Sequence, residues 1–426
     1  FNGTALPVVS WSDSTIVVRV PRSVTAGNET SGQLMVNRDR DTATPGSPTR
    51  SSVTGVTLTI GGNANQVVRV APGGSIQAAI DAAAPGRLIL VPPGTYEELV
   101  IMHKPVRLQG WGAFSTKINA VKAPAEKLAN WRAKLAELLA DNQFSLLPGQ
   151  EAAFDAADNE PVLFGTEEGP GILVVGNANN QGNANEFGPN RAARIDGLSI
   201  TGADHGGGIF VSGYANNLQV SNNRVISNHG TYGGGVRIGH AVLLDENSVS
   251  GYTDGQNDNV QIFFNQVSQN GSSQGAGGGI ALYTGADGYQ VRENTVCGNF
   301  SLSDGGGIGH LGLSRNGTIA NNDILFNQNF NQGVGANGGG LFIGGAAPIA
   351  PAGLSSGAGT VSVRANRIQG NQAGAGDGGG IRAQFVNGTD VLASPNDASL
   401  WHRLNLHNNI VVDNMAGLAG GGISLQ

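Results

Sequence analysis

The sequence predicts an all-β fold, a right-handed parallel β-helix in which short strands coil around one axis. Three observations predict it. Glycine supplies 68 of 426 residues, whereas charged residues make up 13 % and aromatics 6 %, a composition poor in the Leu, Glu and Lys of helical proteins. A phrase Asn-x-(Val/Ile)-x-x-Asn recurs from Asn223, Asn265, Asn294, Asn322, Asn366 and Asn409. A second phrase, three glycines and an aliphatic residue, begins at Gly206, Gly233, Gly277, Gly305, Gly338, Gly378 and Gly420 and interleaves with the first.

Each Asn phrase carries a strand pattern. An apolar residue stands three places before it (Val220, Ile262, Val291, Ile319, Val363, Leu406) and a β-branched one two places after it (Val225, Val267, Val296, Ile324, Ile368, Val411). A weaker copy at Asn247, with Leu244, Val249 and a terminal Tyr252, fits the same pattern. The repeat period is about 28 residues. Within the phrases the period is two, so Val291 points in while Gln290 and Arg292 point out. One repeat cannot bury its apolar side, and stacked repeats share one core. The Asn residues are expected to tolerate left-handed corners and to form a hydrogen-bonded ladder. The glycines are expected to serve close approach and positive φ at another corner.

The coils are expected to begin near residue 65. Ser75 caps a short amphipathic helix through Ala83 that closes the first coil. Strands follow at 87–91, 94–96 and 106–110. A helical insertion at about 120–160 places Leu128, Trp131, Leu135, Leu138 and Leu139 on one face, for packing on the outside of the coils. Residues 1–62 carry other strands, at 15–21 and 33–36, and form a separate segment. Apolar alternation runs up to Gln426, so the array is expected to continue, with further domains of the chain or a capping partner covering that end.

Three stretches carry resemblances. IQAAIDAAAPGRLILVPPGTYEELV with KPVRLQGWG resembles the start of the pectate-lyase-like β-helix superfamily. NNRVISN with GGGVRIG resembles the right-handed β-helix repeat family; together these cover residues 65–426. VVSWSDSTIVVRVP with SGQLMVNR is similar to the second half of an immunoglobulin-like IPT/TIG domain. The first two imply the fold, and a superfamily that holds lyases, hydrolases, epimerases and inert stalks. The third implies a large bacterial protein, secreted or at the cell surface.

A net charge of −7 without a basic run excludes nucleic acid as a partner, and no apolar run is long enough to span a membrane as a helix. The single cysteine, Cys297, is expected to be a packed thiol. Two outward rows were searched for the paired carboxylates of glycoside hydrolysis. One reads Phe210, Arg237, Ala281, Gly309, Phe342, Arg382, Ser424; the other reads Ser221, Asp245, Phe263, Arg292, Ala320, Arg364, His407. Neither holds a pair. Asp204, Asp304 and Asp377 each precede a glycine triplet and are read as turn caps.

The richest polar cluster is Asp204, His205, His229, Tyr232, Arg237 and His240, read either as exposed turn residues or as a site for a metal ion or an acidic sugar. Asp254 and Asp258 lie in an acidic loop with the donor type calcium takes, although no calcium motif surrounds them. Trp401 is a candidate platform for a sugar, within the second of two insertions, Gly344–Gly359 and Phe385–Arg403, expected at one corner of neighbouring coils. No cofactor is evident. The expectation is a non-catalytic extracellular or cell-surface scaffold or adhesion module that binds a polysaccharide or cell-surface glycan. A polysaccharide lyase, hydrolase or epimerase, and an accessory module of a larger enzyme or metal-binding protein, stand as the alternatives.

Overall fold

The computed structural model describes the chain apart from residues 2–3, 22–29, 39–49, 53, 62–65, 153–163, 165–168, 179–184, 192, 332–334 and 350–352. It is a right-handed parallel β-helix of four stacked sheets. Sheet A has ten strands, from Val67–Arg69 to Leu404–His407. Sheet B has nine, from Gly94–Tyr96 to Ile410–Val412, and sheet C six, from His229–Gly230 to Met415–Ala416. Sheet D has nine, from Val100–Met102 to Ile423–Leu425. Each later coil visits A, B, C and D in turn.

Alternation fixes the core. Val220, Ile262, Val291, Ile319 and Val363 stack in register on sheet A, and Val225, Val267, Val296, Ile324 and Ile368 on sheet B, all fully buried. Full burial of each such side chain is worth about 1.5–3 kcal/mol. Sheet D adds Val236, Ile280, Ile308, Leu341 and Ile381.

Two Asn ladders hold the corners between A and B and between B and C. The Nδ2 of Asn294 donates to the Ile262 carbonyl at 2.9 Å and to the Asn322 Oδ1 at 3.0 Å, which also accepts the Asn294 backbone N–H at 2.9 Å. The same set recurs at Asn299 with Asn327. Left-handed backbone falls on the residue before each ladder Asn, such as Asn222 (φ 55°), Phe264 (φ 55°) and Glu293 (φ 57°). The ladder Asn is therefore selected for its amide and not for left-handed geometry. At the glycine corner Gly305 has φ 64°, and a Cβ on Gly306 would lie 2.5 Å from the Gln328 carbonyl oxygen. That approach excludes any side chain.

Ladder steps expose one misreading. Successive rungs lie 29 and 28 residues apart from Asn265 to Asn322, but 42 apart from Asn223 to Asn265. The copy at Asn247 is not a coil. Residues 239–260 loop out between sheets D and A, and Val249 is 88 % exposed. Spacing alone produced the match.

Helix α1, Ile76–Ala82, buries Ile76 and Ile80 over the first coil, and the Ser75 hydroxyl accepts the Ala78 N–H. Glu98 reinforces this cap by accepting the Ile76 N–H at 2.8 Å and the Gln77 N–H at 3.0 Å. Helix α2, Glu126–Ala140, lies outside the coils with Trp131, Leu135 and Leu138 buried against sheet D. The N-terminal segment pairs Val8–Trp11 with Ile16–Val18 and Thr30–Leu34 with Val56–Ile60, both antiparallel. It docks on the outer face of sheet A.

The later insertions share one corner, between sheets D and A. The Ser355 carbonyl accepts the Thr389 N–H at 2.9 Å. Tyr252 donates to the Ala347 carbonyl at 3.0 Å, and Thr253 to the Pro148 carbonyl at 2.8 Å. The insertions thus form a ridge along the solenoid.

Candidate functional site

The outward row of sheet D runs Ile101, Leu173, Phe210, Arg237, Ala281, Gly309, Phe342, Arg382, Ser424 in register. Sequence alternation makes this row solvent-facing, yet Ile101, Leu173, Phe210, Arg237, Ala281 and Phe342 are buried. Helix α2 with Phe144 and Phe164 covers its first part. Arg237 continues the cover, with its guanidinium 4.0 Å from the Phe210 ring centroid and 5.4 Å from that of Tyr232.

This packing divides the predicted polar cluster. Arg237, His240 and Tyr232 come together and are buried. Arg237 donates from Nε to the Gly239 carbonyl at 3.0 Å and from Nη2 to His240 Nδ1 at 3.1 Å. An arginine only donates, so Nδ1 accepts, and the proton on Nε2 faces the Ser212 hydroxyl at 3.1 Å. Asp204 and His205 lie on the surface instead. Asp204 pairs with Lys122 at 2.8 Å, and His229 bridges the Asp204 carbonyl at 3.2 Å and the Ser273 hydroxyl at 3.1 Å. The six residues form a packed inner triad and an outer rim.

Asp254 accepts the Gln256 N–H at 2.8 Å. Burial first, then repulsion from Asp287 and Asp254, pushes Asp258 up to about 6. Among the described residues no group of three His, Cys, Asp or Glu side chains converges as a metal cage. Trp401 is half-buried and donates its indole N–H to the Ser394 carbonyl at 2.7 Å within its own insertion. Burial raises the Cys297 thiol. Asp304 and Asp377 occupy one corner column with Asn337 between them. Asp304 accepts the Asn337 N–H at 2.7 Å, and Asn337 accepts the Asp377 N–H at 3.0 Å. Burial pushes Asp304 up to about 6, and Asp377 pairs with Arg382 at 3.2 Å.

Sheet A carries the other outward surface. Four residues before each Asn phrase lies a row not singled out in the sequence: Arg107, Arg194, Gln219, Gln261, Gln290 in register. Its companion row holds Gln109, Asp196, Ser221, Phe263 and Arg292. Asp245, assigned to this row by the Asn247 match, lies in the loop, and the row's aspartate is Asp196. The Arg292 guanidinium lies 4.4 Å from the Phe263 ring centroid and pairs with Glu293 at 2.9 Å.

Asp196 is fully buried beneath the N-terminal segment. Its carboxylate accepts from the Thr57 N–H at 3.2 Å and the Thr57 hydroxyl at 2.6 Å. Ser221 Oγ at 2.5 Å and Asn222 Nδ2 at 2.9 Å complete the set. Gln109 donates to the Thr57 carbonyl at 2.7 Å, and Gln33 donates to Asn222. Between this anchor and the neighbouring coils lies a cleft of about 1130 Å³, floored by sheet A and roofed by the N-terminal strands. Periodicity could reveal its floor but not the segment that roofs it.

Fold and surface together define a parallel β-helix solenoid with one sealed flank and one polar, roofed flank. Comparison with known protein families, curated proteins and solved structures finds no match for this chain.

Proposed function

We propose that the chain is a non-catalytic extracellular or cell-surface β-helix scaffold of the pectate-lyase-like kind, preceded by IPT/TIG-like strands, that binds a polysaccharide or cell-surface glycan on its flank. One observation carries this reading. The outward row of sheet D, where paired acids would act on a glycan, is packed under helix α2 and the Arg237 stack. Two Asn ladders along the coils support the role of a rigid rod. The test incubates the purified chain with a panel of neutral and acidic polysaccharides and measures new reducing ends and unsaturated products. The reading expects neither; sustained turnover of one polysaccharide overturns it.

A second reading, a glycoside hydrolase, has one observation in its favour. Asp304 and Asp377 stand two rungs apart, roughly 9–10 Å along the stack, near the carboxylate separation of inverting enzymes. Burial favours the protonated form of Asp304, and Arg382 favours the ionised form of Asp377. Turnover abolished by Asp304→Asn and by Asp377→Asn would favour it. Turnover unchanged in both variants would reject it.

A further inference from the structure

We propose that the cleft between sheet A and the N-terminal strands binds a linear, carboxylate-bearing oligosaccharide lying along the solenoid axis. The inference rests on the glycan-binding reading above and assigns it a site and a ligand class.

The floor is a ladder. Arg107, Arg194, Gln219 and Gln261 occupy successive rungs, each about 4.8 Å from the next. An extended sugar chain laid across the coils meets one rung after another at nearly the spacing of its own rings. A guanidinium matches a carboxylate through two parallel N–H donors, which a point charge cannot do. Arg107 keeps its Nε–H on the Gly86 carbonyl at 3.2 Å and has further donors on the same plane. The Gln amides both donate and accept, as hydroxyl groups require.

Apolar contact comes from the wall and the roof. Phe263 lines the floor and Trp11 the roof, where Trp11 is 53 % exposed. Aromatic faces suit the C–H side of a sugar ring. A cleft of about 1130 Å³ accommodates several rings. A polynucleotide would offer stacking and negative charge too, but the net charge of −7 opposes so dense a polyanion. Asp196 fixes the roof through Thr57, so the cleft is built into the fold.

The experiment is calorimetric titration of the whole chain with hyaluronan hexasaccharide, with cellohexaose as the neutral control. Saturable hyaluronan binding is expected, with cellohexaose weaker by about tenfold or more. Arg194→Gln and Gln261→Glu should each weaken hyaluronan binding by about tenfold or more. Gln261→Glu should leave the unfolding temperature unchanged, and it decides alone if Arg194→Gln does not fold. Absent saturable hyaluronan binding, equal binding of cellohexaose, or affinity unchanged by the substitutions overturns the inference. Sizing the recovered hexasaccharide separates the two readings. A shortened product defeats the non-catalytic reading while leaving the site assignment to the substitutions.

Discussion

The outer faces of sheets A and D obey the same register, yet one is dry and the other polar. On sheet D the outward row meets helix α2 and becomes a second core of Ile101, Leu173, Phe210, Trp131 and Leu135. On sheet A the equivalent rows carry Arg, Gln and Asp under a roof of antiparallel strands. The coil specifies the inside of a β-helix; each outer face is specified by whatever lies on it. A search for function should therefore follow the covering elements as well as the coil.

The largest effect should come from breaking the dry face. Trp131→Ala removes a buried side chain from the α2 interface and should cost about 3–5 kcal/mol by denaturant unfolding. An unchanged midpoint would show that helix α2 does not seal the sheet.

The inward rows differ as well. Sheet A is aliphatic along its length, whereas sheet D holds His310 between Leu282 and Ile343. His310 donates from Nε2 to the Gly312 and Ala358 carbonyls at 2.9 Å, and its Nδ1 meets the Tyr289 hydroxyl at 2.9 Å. Burial lowers it to about 4. The folded state thus holds it neutral while the unfolded chain takes up a proton near pH 6.5. Its contribution is complete above about pH 6.5 and is lost as pH falls towards 4, roughly 3 kcal/mol. His103, also lowered to about 4 by burial, should add a comparable loss. His310→Leu should remove about half of the acid sensitivity measured by unfolding between those pH values.

On sheet A, Asp196→Asn should loosen the roof. It removes an acceptor from a carboxylate with four protein donors, at a cost of about 2 kcal/mol. Faster amide exchange in Val56–Ile60, with unchanged exchange in the strands of sheet D, is the expected signature. The smallest effect belongs to the cleft floor, where Gln261→Ala should change stability by less than about 0.5 kcal/mol.

The interior was legible in the sequence because alternation and the Asn phrase are both dictated by the stack. Val225 through Ile368, Ser75 and the buried face of helix α2 stand where the pattern placed them. Leu244 and Val249 imitate that pattern in a loop, because spacing carries no information about which backbone pairs. Arg237 and His240 read as surface residues because Phe210 and helix α2 come from other coils and an insertion. Asp196 escaped notice because Gly197 stands at its corner in place of a residue before a ladder Asn, so no phrase marks it. The floor row Arg107 to Gln290 is regular, but its use depends on the N-terminal strands, whose docking no periodicity encodes.

The most direct test of the difference between the two faces is hydrogen exchange with and without hyaluronan hexasaccharide. Added protection should fall on the roof strands Thr30–Leu34 and Val56–Ile60 and on the sheet A strands at 219–221 and 261–263, with sheet D and helix α2 unchanged. Protection centred on sheet D or the insertion ridge, with the roof unaffected, would contradict the account.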